Sequence, residues 1–155
     1  MKEPNEYIIA LGSNLGNREA NLTSSIESLN AFGHVVQQSS WLENSPVGFE
    51  SKDLFLNGAC LFVSKLDPEE LLVQLKAIEK QLGREVKRSE AYASRPIDLD
   101  IVWWNKGEYE SDTLRIPHPR MHQRDFVLVP VCEIAPDYEH PVLRCTMKEL
   151  YDRIR

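Results

Sequence analysis

Two aspartates interrupt one of the most apolar stretches of the chain, Arg95-Pro96-Ile97-Asp98-Leu99-Asp100-Ile101-Val102-Trp103-Trp104. Aspartate is depleted in strands and seldom buried without a partner. Two of them at a spacing of two share one face of a strand, about 6–7 Å apart along it. Carboxylates that close repel, and one pKa rises unless a cation lies between them. Oxygen donors of this kind suit Mg²⁺, which takes one or two carboxylates and completes its shell with water or substrate phosphates. The competing reading has Asp98 and Asp100 capping loops or pairing with surface arginines. Spacing alone leaves both open.

Basic residues gather just before this stretch: Arg84, Lys87, Arg88 and Arg95. Beside paired carboxylates they suggest phosphate recognition with a metal; a solvated loop balancing Glu85 and Glu90 would look the same. Further on, His118-Pro119-Arg120-Met121-His122 sets two histidines four apart. Prolines flank His118 and HExxH is absent, so a zinc pair is disfavoured, and His118 with Arg124 fits phosphate donation better. Leu11-Gly12-Ser13-Asn14-Leu15-Gly16 matches neither GxGxxG nor GxxxxGK[ST] and reads as a tight turn between strand and helix. Phe55, Phe126, Tyr92, Trp103 and Trp104 are by default core or half-buried aromatics.

Short elements must position these groups. Tyr7–Leu11 predicts a buried strand, and Asn17 caps a helix over Arg18–Ala31 with Leu22, Ile26 and Leu29 on one face. Val35–Glu43 and Phe55–Val63 are β-like, separated by the turn-rich Asn44–Gly48. Asp67-Pro68-Glu69-Glu70 starts a helix whose stripe is Leu71, Leu72, Leu75, Ile78 and Leu82, stopped by Gly83. Ile97–Trp104 is the fourth strand, Asn105-Lys106-Gly107 a hairpin-type turn, and Thr146-Met147-Lys148-Glu149 a capping box for a last helix to about Arg155. The order β-α-β-β-α-β predicts an α+β, ferredoxin-like antiparallel sheet, with both helices on one face and a C-terminal extension. The other face is then left to a substrate or to loops.

Composition bounds the function. The chain has 155 residues, 42% hydrophobic, and a net charge of −6. A single globular domain over 1–155 is expected. The acidic balance argues against broad nucleic-acid binding, which needs a basic face. No apolar run approaches a membrane span and no signal-peptide pattern opens the chain, so a cytoplasmic protein is expected. Cys60, Cys132 and Cys145 lack CxxC spacing and read as reduced thiols packed as small apolar groups.

Taken together, these segments resemble the 6-hydroxymethyl-7,8-dihydropterin pyrophosphokinase family of folate biosynthesis. The resemblance rests on Leu11–Gly16, Pro46-Val47-Gly48, Phe55-Leu56-Asn57, Arg95–Ile101 and Ile116–Pro136, in the family's order across nearly the whole chain. It implies transfer of the β,γ-diphosphate of ATP to a pterin's primary hydroxyl, with AMP leaving. It implies Asp98 and Asp100 as Mg²⁺ ligands bridging two ions to the ATP phosphates. Arg84 and Arg95 are then the arginines that act on the phosphates during transfer, and His118 and Arg124 contact the triphosphate. Phe55 and Phe126 sandwich the pterin, Asn57 reads its polar edge, and Pro46, Val47 and Gly48 line the same pocket. ATP and the pterin are the implied partners; no nucleic acid, membrane or obligate protein partner is implied.

The chain departs from the family pattern at Val86, where basic charge is common, at Tyr92, near a usual tryptophan, and at Ala93-Ser94-Arg95 in place of Gly-Pro-Arg. The polar composition of Gly83–Ser94 predicts a loop that orders over bound ATP. Two other classes would share parts of this pattern. A pterin-binding module would not need the phosphate set, and a metal-dependent phosphohydrolase would not need an aromatic clamp.

Overall fold

Alternation along strand β1 (Asn5–Ser13) decides the layering. Tyr7, Ile9 and Leu11 enter one core with Leu22 and Leu29 of α1 (Arg18–Leu29) and Leu71, Leu75 and Ile78 of α2 (Pro68–Gln81). Ile8 enters a second core on the opposite face with Val127, Leu128 and Val131 of α3 (Asp125–Ile134) and Met147 and Leu150 of α4 (Met147–Ile154). The computed structural model describes residues 3–44, 54–83 and 96–155.

The main sheet also holds β2 (His34–Gln38), β3 (Leu42–Asn44), β4 (Phe55–Ser64) and β5 (Asp98–Trp104). The sheet runs β2-β4-β1-β5, with β3 also paired to β4, and every pairing is antiparallel. The caps behave as the sequence predicts. Asn17 accepts from Ala20 N, Glu70 accepts from Asp67 N, and Thr146 and Glu149 bond reciprocally. Among the described residues no helix is long and apolar enough to cross a membrane. Cys60 and Cys145 are buried, one in each core, and burial pushes the Cys60 thiol up to about 12; Cys132 is partly exposed.

Four expectations need correction. The face opposite α1 and α2 is not left to substrate or loops alone, because α3 and α4 cover much of it. Helix α3 itself escapes a sequence reading because Pro130 lies inside it. An interior proline costs a helix about 3 kcal/mol. Each fully buried aliphatic side chain returns roughly 1.5–3 kcal/mol, and Val127, Leu128, Val131 and Ile134 are all buried. Packing, not propensity, holds this helix.

The single strand expected over Val35–Glu43 is broken into β2 and β3. Gln38 pairs with Cys60 but Leu42 pairs with Asn57, so Ser39–Trp41 bulge against Gly58 and Ala59. Gly58 permits this: a Cβ there would lie 2.4 Å from the Trp41 ring. Gly107 does form the expected turn, with φ +102 and its N–H on the Trp104 carbonyl. The chain does not fold back on β5, however. It forms β6 (Tyr109–Glu110), which pairs with β7 (Arg115–Ile116) in a separate two-stranded sheet. The first helix also ends at Leu29, two residues before Ala31.

Candidate active site

Leu99 and Ile101 point into the first core, so Asp98 and Asp100 must face the other side of β5, as their spacing predicts. Register then fixes their neighbours. Asp98 lies opposite Gly12, which lies opposite Asn57; Asp100 lies opposite Ala10, which lies opposite Ala59. Adjacent strands are about 4.8 Å apart, so carboxylates and Asn57 flank a floor roughly 10 Å wide made of small residues. Gly12 keeps that floor low. A Cβ would sit 3.0 Å from Asn57 Oδ1 and 3.6 Å from the Phe55 ring. Gly12 was legible only as part of a turn, although a glycine within an apolar strand is itself a signal of close approach.

A polar rim faces the carboxylates. Arg124, the N-cap residue of α3, lies close enough for its charge to pull the Asp100 pKa down. The guanidinium lies 5.6 Å from the centre of the Phe126 ring, and Phe126 packs half-buried against the second core. His118 Nδ1 accepts the Arg120 N–H at 3.2 Å, which leaves the ring proton on Nε2. Burial first, and then the Arg124 charge, lower the His118 pKa, with Asp98 opposing them. At neutral pH His118 is therefore a neutral donor. His122 does not join it. Its ring lies edge-on to His140, 6.2 Å between centres, so the two histidines of the 118–122 segment serve different partners.

Glu79 was not found from sequence. It is buried in α2, and its Oε2 accepts the Leu99 N–H at 2.8 Å. That N–H lies on the outer edge of β5, so Glu79 closes a sheet edge between the two aspartates. Its spacing of four from Leu75 places an acid on the apolar stripe, which is the one local sign of it.

Asp100 feels this crowding. Desolvation, then the Asp98 and Glu79 carboxylates, push its pKa up to about 7, against the weaker pull of Lys76 and Arg124. Folding thus takes up a proton at Asp100 between the ordinary carboxylate range and pH 7. The parent loses stability as pH rises through that window. Asp100→Asn, which cannot ionise, is expected to match the parent only at or below about pH 3.5, under the ordinary carboxylate range, and to melt progressively higher than the parent up to about pH 8, without divalent cation. Thermal melts at both values test this; an Asn variant melting below the parent at the higher pH would make ionised Asp100 a structural partner.

The donor chemistry fits a hard divalent cation: two carboxylates on one face, with like-charge crowding that a cation would relieve. Among the described residues no group of three or more His, Cys, Asp or Glu could hold a metal ion. Further oxygen ligands would then come from phosphates or water. Asp98, Asp100, His118 and Arg124 are thus brought together, as are Phe55 and Asn57 beside Gly12. Pro46, Val47, Gly48, Arg84 and Arg95 lie outside the described residues, as do Lys87, Arg88, Tyr92 and most of the expected ATP loop.

A family model described as 7,8-dihydro-6-hydroxymethylpterin-pyrophosphokinase matches residues 8–136. The chain is 41% identical over 147 residues to a folic acid synthesis protein of Pneumocystis carinii, covering 94% of this chain and 20% of that protein. It is 36% identical to the 2-amino-4-hydroxy-6-hydroxymethyldihydropteridine pyrophosphokinase of Aquifex aeolicus, covering 91% of this chain and 87% of the relative. The Porphyromonas gingivalis protein of the same name is 40% identical, with 86% and 92% covered. Among solved structures, Plasmodium falciparum HPPK-DHPS with pteroate superposes with a TM-score of 0.74 over 98% of this chain and 43% of that one. At 16% identity that match speaks for the fold. The chain thus spans about a fifth of the Pneumocystis relative and most of the two bacterial ones.

Proposed function

Because the chain belongs to the 7,8-dihydro-6-hydroxymethylpterin-pyrophosphokinase family, we propose that it transfers the β,γ-diphosphate of ATP to the hydroxymethyl group of 6-hydroxymethyl-7,8-dihydropterin in folate synthesis. The pterin hydroxyl oxygen bonds to the β-phosphorus and gives up its proton to solvent, the bond from that phosphorus to the α,β-bridging oxygen breaks, and AMP leaves. What supports the reading is one juxtaposition. Asp98 and Asp100 share a sheet face with Asn57 across a floor of Gly12 and Ala10, under a rim carrying His118 and Arg124. On this reading the residues proposed for phosphate and those proposed for the heterocycle share one surface. The antiparallel order β2-β4-β1-β5 also supports a split βαβ arrangement in which β2 and β3 together make the second strand.

In this reading Asp98 and Asp100 hold Mg²⁺, which when bound supplies charge neutralisation at the phosphates. His118 donates from Nε2, and Arg124 offers its guanidinium, to triphosphate oxygens. Arg84 and Arg95 supply further positive charge during transfer. Phe55 and Phe126 stack on the pterin, Asn57 fixes its polar edge, and Pro46, Val47 and Gly48 complete the pocket. Alignment and electrostatics do the work, since no covalent intermediate with the protein is needed.

An assay of AMP from ATP and Mg²⁺ tests the activity. AMP is expected only when the hydroxymethyl pterin is present. Phosphate or ADP release independent of the pterin would point to a phosphohydrolase, and pterin binding without AMP to a binding module.

A further inference from the structure

The first residue of α1 is Arg18, directly after the glycine turn that follows β1. A cation there opposes the helix macrodipole, whose positive end lies at the N-terminus. Helix α1 therefore gives no local reason for an arginine. The guanidinium instead reaches two points on another part of the chain. Nη1 donates to the Leu54 carbonyl at 2.7 Å, and Nη2 donates to Glu43 Oε2 at 3.1 Å. Glu43 belongs to β3, and Leu54 immediately precedes β4. One planar fork holds the departing and returning ends of the same connection. Phe55 and Asn57 follow Leu54 by one and three residues, and both lie against Gly12: a Cβ there would be 3.0 Å from Asn57 Oδ1 and 3.6 Å from the Phe55 ring.

We infer that Arg18 is a positioning residue for pterin binding: it pins the start of β4, and through it sets Phe55 and Asn57 against the Gly12 floor. This rests on the pterin reading of Phe55, Asn57 and Phe126 given above. The ion pair with Glu43 is half exposed, and exposed pairs add little to global stability. Its effect is local instead. A site whose supporting residues are held in place loses less freedom when the ligand binds. Lysine could reach one of the two acceptors but could not span both.

Calorimetry on Arg18→Ala, Arg18→Lys, Glu43→Ala and the Arg18→Ala/Glu43→Ala double variant tests this, with the hydroxymethyl pterin and a nonhydrolysable ATP analogue titrated separately. Arg18→Ala is expected to weaken pterin binding about tenfold, with ATP affinity and melting temperature near parental. Arg18→Lys and Glu43→Ala are expected to fall between, and the double variant to be no worse than Arg18→Ala. Phe126→Ala runs beside them as a control on the pterin site. If Phe126→Ala weakens pterin binding and Arg18→Ala does not, the positioning role is overturned and the pterin reading stands. Equal losses for pterin and ATP with a lowered melting temperature would make Arg18 an ordinary structural contact, which also overturns it. A parent chain that does not bind the pterin overturns both.

Discussion

Asp98→Ala and Asp100→Ala are each expected to lower diphosphate transfer by roughly 10²–10³-fold or more, the scale for removing an electrostatic group aimed at developing charge. The folds of both variants should persist. The two carboxylates face the same side of β5, and desolvation, then Asp98 and Glu79, push the Asp100 pKa up to about 7. Removing Asp100 relieves repulsion from Asp98 and Glu79, so the apo Asp100→Ala variant should melt at or above the parental temperature. A structural role predicts the reverse. If either aspartate were the buried partner of an arginine, its loss would strand a charge and cost ~3–5 kcal/mol. Melting and AMP release measured on the same two variants separate these cases. A variant that melts like the parent and releases AMP at the parental rate would remove the metal assignment.

Phe126→Ala is expected to weaken pterin binding by on the order of 1–3 kcal/mol, the usual scale for losing one aromatic face against a flat heterocycle. The ring is half-buried in the second core, so some loss of melting temperature is expected as well. ATP binding should change less than pterin binding: Phe126→Ala removes the ring 5.6 Å from the Arg124 guanidinium but leaves the Arg124 backbone at the N-cap of α3. Phe126→Tyr retains the stacking face and should bind the pterin nearly as the parent does. Calorimetry on both ligands decides: equal losses for ATP and pterin, or an unchanged pterin affinity, would remove the clamp.

What could be read from the sequence was local. Period-two spacing sufficed to put Asp98 and Asp100 on one face, and short-range hydrogen bonds sufficed for the caps at Asn17 and Thr146. What could not be read depends on partners distant in sequence. The break at Ser39–Trp41 exists because the Trp41 ring lies over Gly58 on a neighbouring strand. Glu79 acquires its place only when the Leu99 N–H, twenty residues on, comes to the free edge of β5. Helix α3 is held by burial against the sheet, in spite of Pro130. Gly12 reads as a turn residue until Asn57 and Phe55 are seen against it. The roles given to Pro46, Val47, Gly48, Arg84 and Arg95 rest on family resemblance, and those of Asp98, Asp100, His118 and Arg124 gain support from their common face.

The central claim is that this face moves two phosphates as a unit onto a pterin. The direct measurement follows label from ATP carrying ³²P at the α, β or γ position, with Mg²⁺ and 6-hydroxymethyl-7,8-dihydropterin. The account predicts that β and γ label appear together in the pterin product while α label stays in AMP. Label in the pterin from the γ position alone would mean a single phosphoryl transfer, and γ label released as free phosphate would mean hydrolysis; either result contradicts it.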